Sequence, residues 1–504
     1  MQYIIAERCV LSRGAYRAAK GGELGTGIGV YRLILGVFGL VECIATCGVL
    51  NYIFWNGYLN IYVLNSQKAM LIRLSVGMLI QFKLSNFRSI RNELTFSAVS
   101  SQRNSSASDA SRVISPTAPA TAALNKASFI YGANASGKSN LIKAIGVMKG
   151  IIVNSNKTND DDPLPYEPFA FSETSRSSDT EFEIELITNN VRYQYGFAYN
   201  RNKITEEWLY AYPKGKPQKW LMRYFDIDTN ETTYERCDNL TGPKKVWESA
   251  TRDNALFLAT AVQLNSKPLK PVFDWFQKTL QLVSTSGPGE SFSLNMAQQS
   301  EQSKKHIINF MKAADFSIED FDVDESDSEK RMEQLPKPLR EAIGSSAMLF
   351  DVKTAHKDDA GGLQYIDLND ESDGTQKVFE WAGPMLDTLE QGCVLVIDEM
   401  HLHLHPNLSA FLVKLFYNDA LNTSGAQLIT TTHEATFLKA SVSKRDQLWI
   451  MDRCPDGSSK ITPITDYSPR KDENIERGFL DGRYRGNPTL NIADVLRASG
   501  DKHG

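Results

Sequence analysis

A glycine-rich segment of eight residues constrains the fold of this chain more than any other feature. It reads Gly132-Ala-Asn-Ala-Ser-Gly-Lys-Ser139, with two glycines separated by four residues and followed at once by lysine and serine. The apolar stretch 127–131 before it is typical of a buried strand, and apolar residues after it recur at helical spacing. Glycines between a strand and a helix let backbone N–H groups and the helix N-terminus surround phosphate groups. We therefore expect an α/β fold with a phosphate-binding loop.

The residues of this loop predict how a nucleotide would be held. The expected nucleotide-binding residues are Gly132, Ala133, Asn134, Ala135, Ser136, Gly137, Lys138, Ser139 and Asn140. The Lys138 ammonium would reach the β- and γ-phosphates, and the Ser139 hydroxyl would be a ligand of Mg²⁺. ATP and Mg²⁺ are the predicted cofactors. GTP is less favoured because no NKxD base-reading motif occurs, although guanine specificity without that motif stays open.

Two acidic residues at the end of an apolar strand supply the second part of the predicted site. Residues 394–397 are four apolar residues that indicate a buried parallel strand, and Asp398 and Glu399 follow directly. The carboxyl ends of parallel strands are where α/β sheets bind ligands. We expect Asp398 to hold Mg²⁺ through water, and Glu399 to polarise the attacking water as a general base.

Three further features have a functional and a structural interpretation. Ser372 suits the N-cap of a helix, so Ser372 and Gly374 could offer N–H groups to an anion, but an ordinary capped helix fits equally well. His433 ends the apolar run that starts at Leu428, where a lone histidine is usually structural. Alternating histidines would share one face of an extended segment, which makes a metal site a weaker alternative. They are His401, His403 and His405.

Composition and charge exclude several classes of protein. The 504 residues carry 55 Lys and Arg against 60 Asp and Glu, a net charge of −5, and 42% of them are hydrophobic. These values exclude a disordered or low-complexity chain and a polytopic membrane protein, and they argue against a strongly basic nucleic-acid binder. The six cysteines form no CxxC pair, which fits a reducing compartment, so we expect a cytoplasmic protein.

Residues 1–77 differ from the rest of the chain. They carry seven Lys and Arg against three acids, and the apolar run 33–64 is long enough to span a membrane, although Glu42 would be costly there. Met78 opens an alternating strand pattern that looks like the natural start of a folded domain. The leading interpretation of 1–77 is a dispensable extension translated from an early start codon. A membrane anchor and an added structural helix are the alternatives.

The chain from Met78 onward divides into three parts. Residues 78–252 contain the phosphate loop and alternating segments that predict an antiparallel β lobe. Those segments are 181–187, 192–199 and 204–210. Residues 253–345 are expected to form a mostly helical insertion that ends in an acidic, solvated stretch at 319–329. Residues 346–504 return to the α/β pattern and contain the Ser372 segment, the paired acids and His433.

Taken in order, these elements resemble the ABC class of ATPases, in which they are the phosphate loop, the signature, the Walker B strand and the switch histidine. The segments Leu84-Ser-Asn-Phe-Arg-Ser89 and His401-Leu-His-Leu-His-Pro406 resemble the SMC/RecF/OLD-like branch. The chain is similar above all to stand-alone ABC-type ATPases of bacterial phage-defence and abortive-infection systems. That similarity covers about 78–488 and none of 1–77. Besides the nucleotide motifs it rests on Glu206–Tyr210, Asn254–Leu258, Ser372–Thr375 and Arg477–Tyr484.

The resemblance implies an ABC-ATPase head that holds ATP between two subunits. Ser372 and Gly374 of one subunit would contact the γ-phosphate bound to the partner's Lys138, and His433 would sense that phosphate. The signature departs from the transporter pattern, because Glu371 stands where those ATPases usually have an apolar residue. Dimerisation would complete the site, so ATP binding would be coupled to a change of shape.

The implied function is a Mg²⁺-dependent ATPase that acts as a homodimer or higher homo-oligomer. Only about 70 residues follow His433, too few for the TOPRIM nuclease domain of longer OLD-like chains. A defence role would therefore need a separate effector protein, for which a nuclease is expected. The first alternative is a RecF-like DNA-repair ATPase that binds DNA itself. The second, less favoured, is the nucleotide-binding subunit of a transporter.

Overall fold

The computed structural model describes four strands within 29–63 and most of the chain from 77 to 487. Inside the latter range it leaves out 102–109, 227, 284–289, 315, 325–350, 403 and 471. The chain divides into two compact units, Met1–Leu74 and Ser75–Gly504.

The described part of the first unit consists of two antiparallel strand pairs. Strand β1 (Gly29–Ile34) pairs with β2 (Leu40–Ala45), and β3 (Leu50–Trp55) pairs with β4 (Tyr58–Val63). The apolar run 33–64, for which the sequence allowed a membrane span or an added helix, therefore contains strands. Among the described residues, no helix is long and apolar enough to cross a membrane.

The second unit contains two large sheets, a three-stranded sheet, a two-stranded sheet and ten α-helices in its described part. Its strands are β5 (Met78–Ser85), β6 (Leu94–Ser97), β7 (Val113–Ile114), β8 (Leu124–Asn125), β9 (Ala127–Tyr131), β10 (Thr180–Thr188), β11 (Val191–Tyr199), β12 (Ile204–Tyr212), β13 (Gln218–Asp226), β14 (Glu231–Tyr234), β15 (Leu280–Val283), β16 (Asp320–Asp324), β17 (Asp351–Lys357), β18 (Leu363–Asp367), β19 (Val394–Ile397), β20 (Gln427–Thr431), β21 (Leu448–Arg453) and β22 (Ser459–Pro463). Its α-helices are α1 (Lys138–Asn154), α2 (Glu173–Ser177), α3 (Lys244–Ala250), α4 (Phe257–Gln263), α5 (Lys270–Asp274), α6 (Glu290–Gln299), α7 (Glu301–Ala313), α8 (Asp373–Gln391), α9 (Pro406–Tyr417) and α10 (Ile475–Leu480).

The central sheet has the strand order β15-β19-β20-β9-β21-β22. Its first five strands run parallel, and only β22 at the edge is antiparallel. Every residue of β9, β19 and β20 is buried, as expected for parallel strands covered on both faces. Alternate residues face two different cores: Val394 and Val396 pack with α1, whereas Leu395 and Ile397 pack with α8 and α9. The predicted α/β class is confirmed.

The second large sheet is an antiparallel lobe of seven strands in the order β14-β13-β12-β11-β10-β5-β6. It contains the predicted meander over β10, β11 and β12, and the first strand after Met78 joins it as β5. The lobe shares one hydrophobic core with α1, because the apolar face of this helix packs against both sheets. The phosphate-loop helix therefore lies between the lobe and the central sheet.

The insertion over 253–345 is helical at α4 to α7, but two of its segments are strands. Leu280–Val283, expected to be helical, pairs in parallel with β19 and is the edge strand of the central sheet. Asp320–Asp324, expected to be part of a solvated acidic stretch, pairs with β17 in a three-stranded sheet with β18. Short runs carry little periodicity, so their secondary structure depends on the partner strand that tertiary contacts supply. Residues 325–350, including the end of the acidic run, lie outside the described residues.

A buried ion pair joins the lobe to α4. The side chains of Glu207 on β12 and Arg223 on β13 are 0% and 1% exposed, and their closest charged atoms are 3.5 Å apart. The carboxylate also accepts hydrogen bonds from Phe257 N (2.7 Å) and Leu258 N (3.0 Å), which are at the start of α4. Burial raises the pKa of Glu207, while Arg223 and these N–H groups oppose that shift. The segments 206–210 and 254–258 are thus in contact through the carboxylate of Glu207.

We expect Glu207→Ala to lower the free energy of unfolding by about 3–5 kcal/mol, because Arg223 would be left as an uncompensated buried charge. Chemical denaturation followed by tryptophan fluorescence measures this change. Glu235→Ala is the matched control in the same lobe, since it breaks the exposed pair of Lys219 and Glu235 and should leave the unfolding midpoint unchanged. Equal midpoints for the wild type and Glu207→Ala would contradict the assignment.

Candidate nucleotide-binding site

The phosphate loop connects β9 to α1 and requires both of its glycines. Gly137 has φ +105°, and a side chain there would collide with the Ser459 hydroxyl and lie 2.8 Å from the Ser89 hydroxyl. A Cβ at Gly132 would collide with the backbone oxygen of Met451 and lie 2.5 Å from the Ser136 hydroxyl. The loop is thus held in place by close backbone approach, which only glycine allows.

Lys138 is turned back over the loop in this structure. Its Nζ donates hydrogen bonds to the backbone oxygens of Gly132 (2.8 Å) and Ala133 (3.2 Å). Burial lowers the pKa of Lys138, and the carboxylates of Glu399 and Asp398 oppose that shift. An ammonium that is held by two carbonyls at the mouth of the loop is free to exchange them for a more strongly charged acceptor.

The remaining loop residues fit a phosphate group. Asn134 and Ala135 are exposed, and Ala135 has φ +63°, so the tip of the loop faces solvent in a left-handed turn. Among the described residues, the buried hydroxyl of Ser136 has no hydrogen-bond partner. Ser139 is half-buried in the first turn of α1. A buried hydroxyl without a partner, next to a helix N-terminus and a lysine, suits an anionic ligand with several acceptor oxygens.

Three side chains that sequence reasoning did not connect support the loop from outside. Asn140 Nδ2 donates to the Ser89 hydroxyl (2.7 Å), and the Ser459 hydroxyl donates to the same oxygen (2.8 Å). Ser89 follows β5, Ser459 begins β22, and both lie against Gly137. The amide side chain of Asn140, predicted to bind nucleotide, therefore makes a contact within the protein.

The two acids follow β19 and are connected through Thr431 at the end of β20. The Thr431 hydroxyl donates to Asp398 Oδ1 (2.5 Å) and accepts a hydrogen bond from Glu399 N (2.9 Å). Asp398 is 8% exposed, and Glu399 has a left-handed backbone with φ +57°. The sequence analysis did not identify Thr431, and the only signal for it was its place two residues before His433 in the run Thr430-Thr-Thr-His433.

His433 lies next to Glu399, with 3.6 Å between its Nε2 and Glu399 Oε1. Burial, followed by the charges of Lys138 and His401, lowers the pKa of His433 to about 4. Burial also lowers the pKa of His401, whose Nδ1 lies 3.2 Å from the Thr432 hydroxyl. Both rings are therefore neutral at pH 7, which leaves His433 able to donate or accept a hydrogen bond beside the carboxylate.

The alternating histidines have separate surroundings. His405 Nδ1 accepts a hydrogen bond from Asn407 N and is the N-cap of α9, whereas the His401 ring lies 6.1 Å from that of His433. His403 lies outside the described residues. In the part of the chain that the structure describes, no three His, Cys, Asp or Glu residues form a group that could hold a metal ion.

Ser372 and Gly374 lie at the start of α8. The Ser372 hydroxyl caps the helix by accepting a hydrogen bond from Thr375 N (3.2 Å), as the sequence predicted. A Cβ added at Gly374 would meet only the Ser372 hydroxyl, at 3.8 Å, so the surface there is open. The described hydrogen bonds of the Ser372 hydroxyl are to Thr375, and none of them reaches the phosphate loop.

An open cavity of about 1000 Å³ lies along α1 and reaches Asp398. Arg88, Lys143 and Lys149 contribute positive charge to its lining, and Val147 and Leu282 contribute apolar surface. Its volume is in the range of small-molecule and cofactor sites. The cavity therefore provides room next to Asp398, although Glu399 and the phosphate loop do not line it.

Residues 127–439 match the family described as "AAA domain, putative AbiEii toxin, Type IV TA system". No curated protein matches the sequence. The fold is similar to the SMC head domain from Thermotoga maritima, at 13% identity and a TM-score of 0.35 over 76% of this chain and 98% of that one. It is also similar to an SMC head bound to the C-winged helix domain of ScpA (11%, TM-score 0.35, 76% and 96%). A third similar structure is CbiO1 from Clostridium perfringens, part of an ABC transporter complex (10%, TM-score 0.29, 80% and 96%).

We expect Gly137→Ala to weaken nucleotide binding about tenfold or more, because the side chain would collide with Ser459 at a strained φ. Titration with a fluorescent ATP analogue measures the Kd. Gly150→Ala is the matched control on the same helix, since a Cβ there meets nothing within 4 Å. That control should bind as the wild type does, and a Gly137→Ala protein with wild-type affinity would contradict the proposed loop geometry.

We expect His433 in the nucleotide-free protein to titrate at pH about 4 rather than about 6.5. As the pH falls through this window the unfolded chain binds a proton before the folded one does, so folding stability should decrease from pH about 6.5 to about 4. NMR titration of the imidazole resonances, assigned with His433→Gln, measures the pKa. A midpoint near 6.5 would show that the ring is not desolvated as described.

Proposed function

The chain belongs to the AAA-domain family whose description names the AbiEii toxin and type IV toxin–antitoxin systems, and we propose that it is a Mg²⁺-dependent ATPase that ATP switches into a dimer. One observation carries this proposal. Lys138, Asp398, Glu399 and His433 come from three chain segments and meet at the carboxyl edge of β9, β19 and β20. A phosphate loop, a pair of acids and a neutral histidine at one edge suit the transfer of a phosphoryl group to water.

The nucleotide would be held by the phosphate loop. Backbone N–H groups at the start of α1 and the Lys138 ammonium would bind its phosphates, while the hydroxyl of Ser139 and the carboxylate of Asp398 would hold Mg²⁺. Bound Mg²⁺ supplies neutralisation of the charge that develops on the transferred group. Hard oxygen ligands from Ser139 and Asp398 are the type that Mg²⁺ prefers.

Glu399 would be the general base. Its backbone N–H is held by Thr431, and its carboxylate lies 3.6 Å from His433 Nε2. The His433 ring is neutral, so it would orient a hydrogen-bonding partner beside the Glu399 carboxylate without neutralising the charge of that carboxylate. A fixed carboxylate beside a desolvated site is the arrangement that accepts a proton from attacking water.

Two subunits would complete the site. Ser372 and Gly374 lie at an open helix start that has no hydrogen bond to the loop of its own chain in the described part. In an ATP-bound dimer this helix start would contact the γ-phosphate held by the partner's Lys138, as the ABC-type resemblance implies. The contact between ATP on one subunit and the helix start of the other would form only in the dimer. ATP would therefore favour association of the two subunits.

The biological role we propose is a switch in defence against phage, in which the ATP-bound dimer gates a separate effector, with a nuclease as the expected effector. The toxin–antitoxin wording of the family description and the resemblance of the sequence to abortive-infection ATPases support this role. In this proposal the chain described here supplies nucleotide-dependent control, and the damaging activity belongs to the effector.

We expect Glu399→Gln to bind Mg²⁺-ATP, to remain dimeric and to hydrolyse ATP about 100-fold more slowly, because the general base is lost while the binding groups stay. Phosphate release measures the rate of ATP hydrolysis. Light scattering measures the mass of the protein and so distinguishes monomer from dimer. Lys138→Ala should neither bind ATP tightly nor dimerise.

Glu434→Gln is the matched control, since it changes a carboxylate at the same edge that caps residues 435–438, and its turnover should stay within about twofold of wild type. Wild-type turnover in Glu399→Gln would overturn the general-base assignment. The effector should copurify with trapped Glu399→Gln in the presence of ATP and not with Lys138→Ala; equal recovery with both would contradict ATP gating.

A further inference from the structure

The residue before the signature serine is an acid whose side chain is mostly buried. Glu371 has a side-chain exposure of 12% and lies between a short helical turn at 368–370 and the N-cap Ser372. Carboxylates are rarely buried without partners, because removing the charge from water is costly. Glu371 therefore needs a structural reason to lie where it does.

Its partners are two side chains of β17. The Thr354 hydroxyl donates to Glu371 Oε1 (2.5 Å), and His356 Nε2 lies 2.6 Å from the same oxygen. A carboxylate can only accept, so the His356 Nε2 carries the proton in this contact. Thr354 and His356 are two residues apart in a strand, which places both on one face. Two donors from one strand thus converge on a single carboxylate oxygen.

The strand that supplies these donors is itself fixed to α8. Thr354 is fully buried and lies in register with Phe321 of β16 and Ile366 of β18. The Phe321 ring packs edge-on against Phe379 of α8, with 5.2 Å between centroids. The three-stranded sheet therefore contacts α8 along its side through aromatic packing and at its start through Glu371.

The backbone at Glu371 is held as well. Gln376 Nε2, one turn into α8, donates to the backbone oxygens of Glu371 (2.9 Å) and Asn369 (3.1 Å). The carboxylate of Glu371 is thus bound to β17, and its backbone carbonyl is bound to α8. Since Ser372 is the next residue, this fixes where the signature hydroxyl and the first N–H groups of α8 point.

We propose that Glu371 is a positioning residue, which sets the signature of one subunit for the phosphate bound by the other through its hydrogen bonds to Thr354 and His356. This inference rests on the proposed dimer. Transporter ATPases usually have an apolar residue at the position of Glu371. In this chain a charge-assisted contact takes the place of apolar packing there. Glu371 acts through Ser372 and touches no nucleotide itself.

The test measures dimerisation and nucleotide binding separately, in the full chain carrying Glu399→Gln as the parent. Adding Glu371→Ala should weaken the Mg²⁺-ATP-dependent dimer about tenfold or more, because two donors lose their charged acceptor. The Kd of the monomer for a fluorescent ATP analogue should change by less than about twofold, since the phosphate loop is untouched. Glu371→Gln keeps an acceptor oxygen and should restore most of the dimer.

Glu380→Gln is the matched control. It changes a carboxylate of similar exposure (18%) on α8, the helix that follows Glu371, paired with Lys377 at 2.7 Å, and should dimerise as the parent does. If Glu371→Ala does not fold, as judged by circular dichroism, His356→Ala replaces it and should weaken the dimer by removing one donor.

Parent-like dimerisation of folded Glu371→Ala would overturn the inference, and so would loss of nucleotide binding by its monomer, which would indicate a general structural role. A parent that does not dimerise with Mg²⁺-ATP would instead overturn the proposed dimer. The failure of the inference and the failure of the proposed function are therefore distinguishable.

Discussion

The parallel pairing of β9, β20 and β19 is the constraint on which the site depends. Thr430 lies in register with Phe129 on one side and with Ile397 on the other, although these residues are far apart in sequence. Parallel strands in register end at one edge, so the loops that follow them begin side by side. The phosphate loop, the acidic pair and the segment around His433 are those loops. Thr431 then orients Asp398 and the backbone of Glu399 together.

Two serines that are far apart in the sequence, Ser89 and Ser459, support the phosphate loop. Ser89 comes from the turn after the first strand of the lobe, and Ser459 comes from the hairpin near the C-terminal end of the sheet; both contact Gly137. The lobe is in turn joined to the helical insertion by the buried pair of Glu207 and Arg223. A loop that must hold several phosphate oxygens benefits from such support, because its geometry is then set before the ligand arrives.

The electrostatics of the site follow from burial and from mutual proximity. Desolvation lowers the pKa of both Lys138 and His433. The carboxylates of Glu399 and Asp398 oppose the shift of Lys138, and the carboxylate of Asp398 opposes that of His433. Hydrogen bonds to two carbonyls of the loop partly offset the desolvation of the Lys138 ammonium. The His433 imidazole is neutral at pH 7. Lys138, Asp398, Glu399 and His433 therefore present an ammonium, two carboxylates and a neutral ring at this edge. In the proposed function, this set would bind an anion with its metal ion and still leave a carboxylate available as a base.

Local patterns in the sequence were sufficient for the phosphate loop, the strand before it and the helix after it, the acidic pair and the cap of α8. Glycine spacing, apolar runs and capping residues act over a few neighbours, which is why they can be recognised there. Tertiary structure alone decided that 280–283 joins the central sheet, that Thr431 connects the acids, and that Glu371 contacts β17. It also decided that Ser89 meets Ser459 across 370 positions. Such contacts depend on which chain segments pack together, and no short-range pattern specifies that for a single hydroxyl or carboxylate.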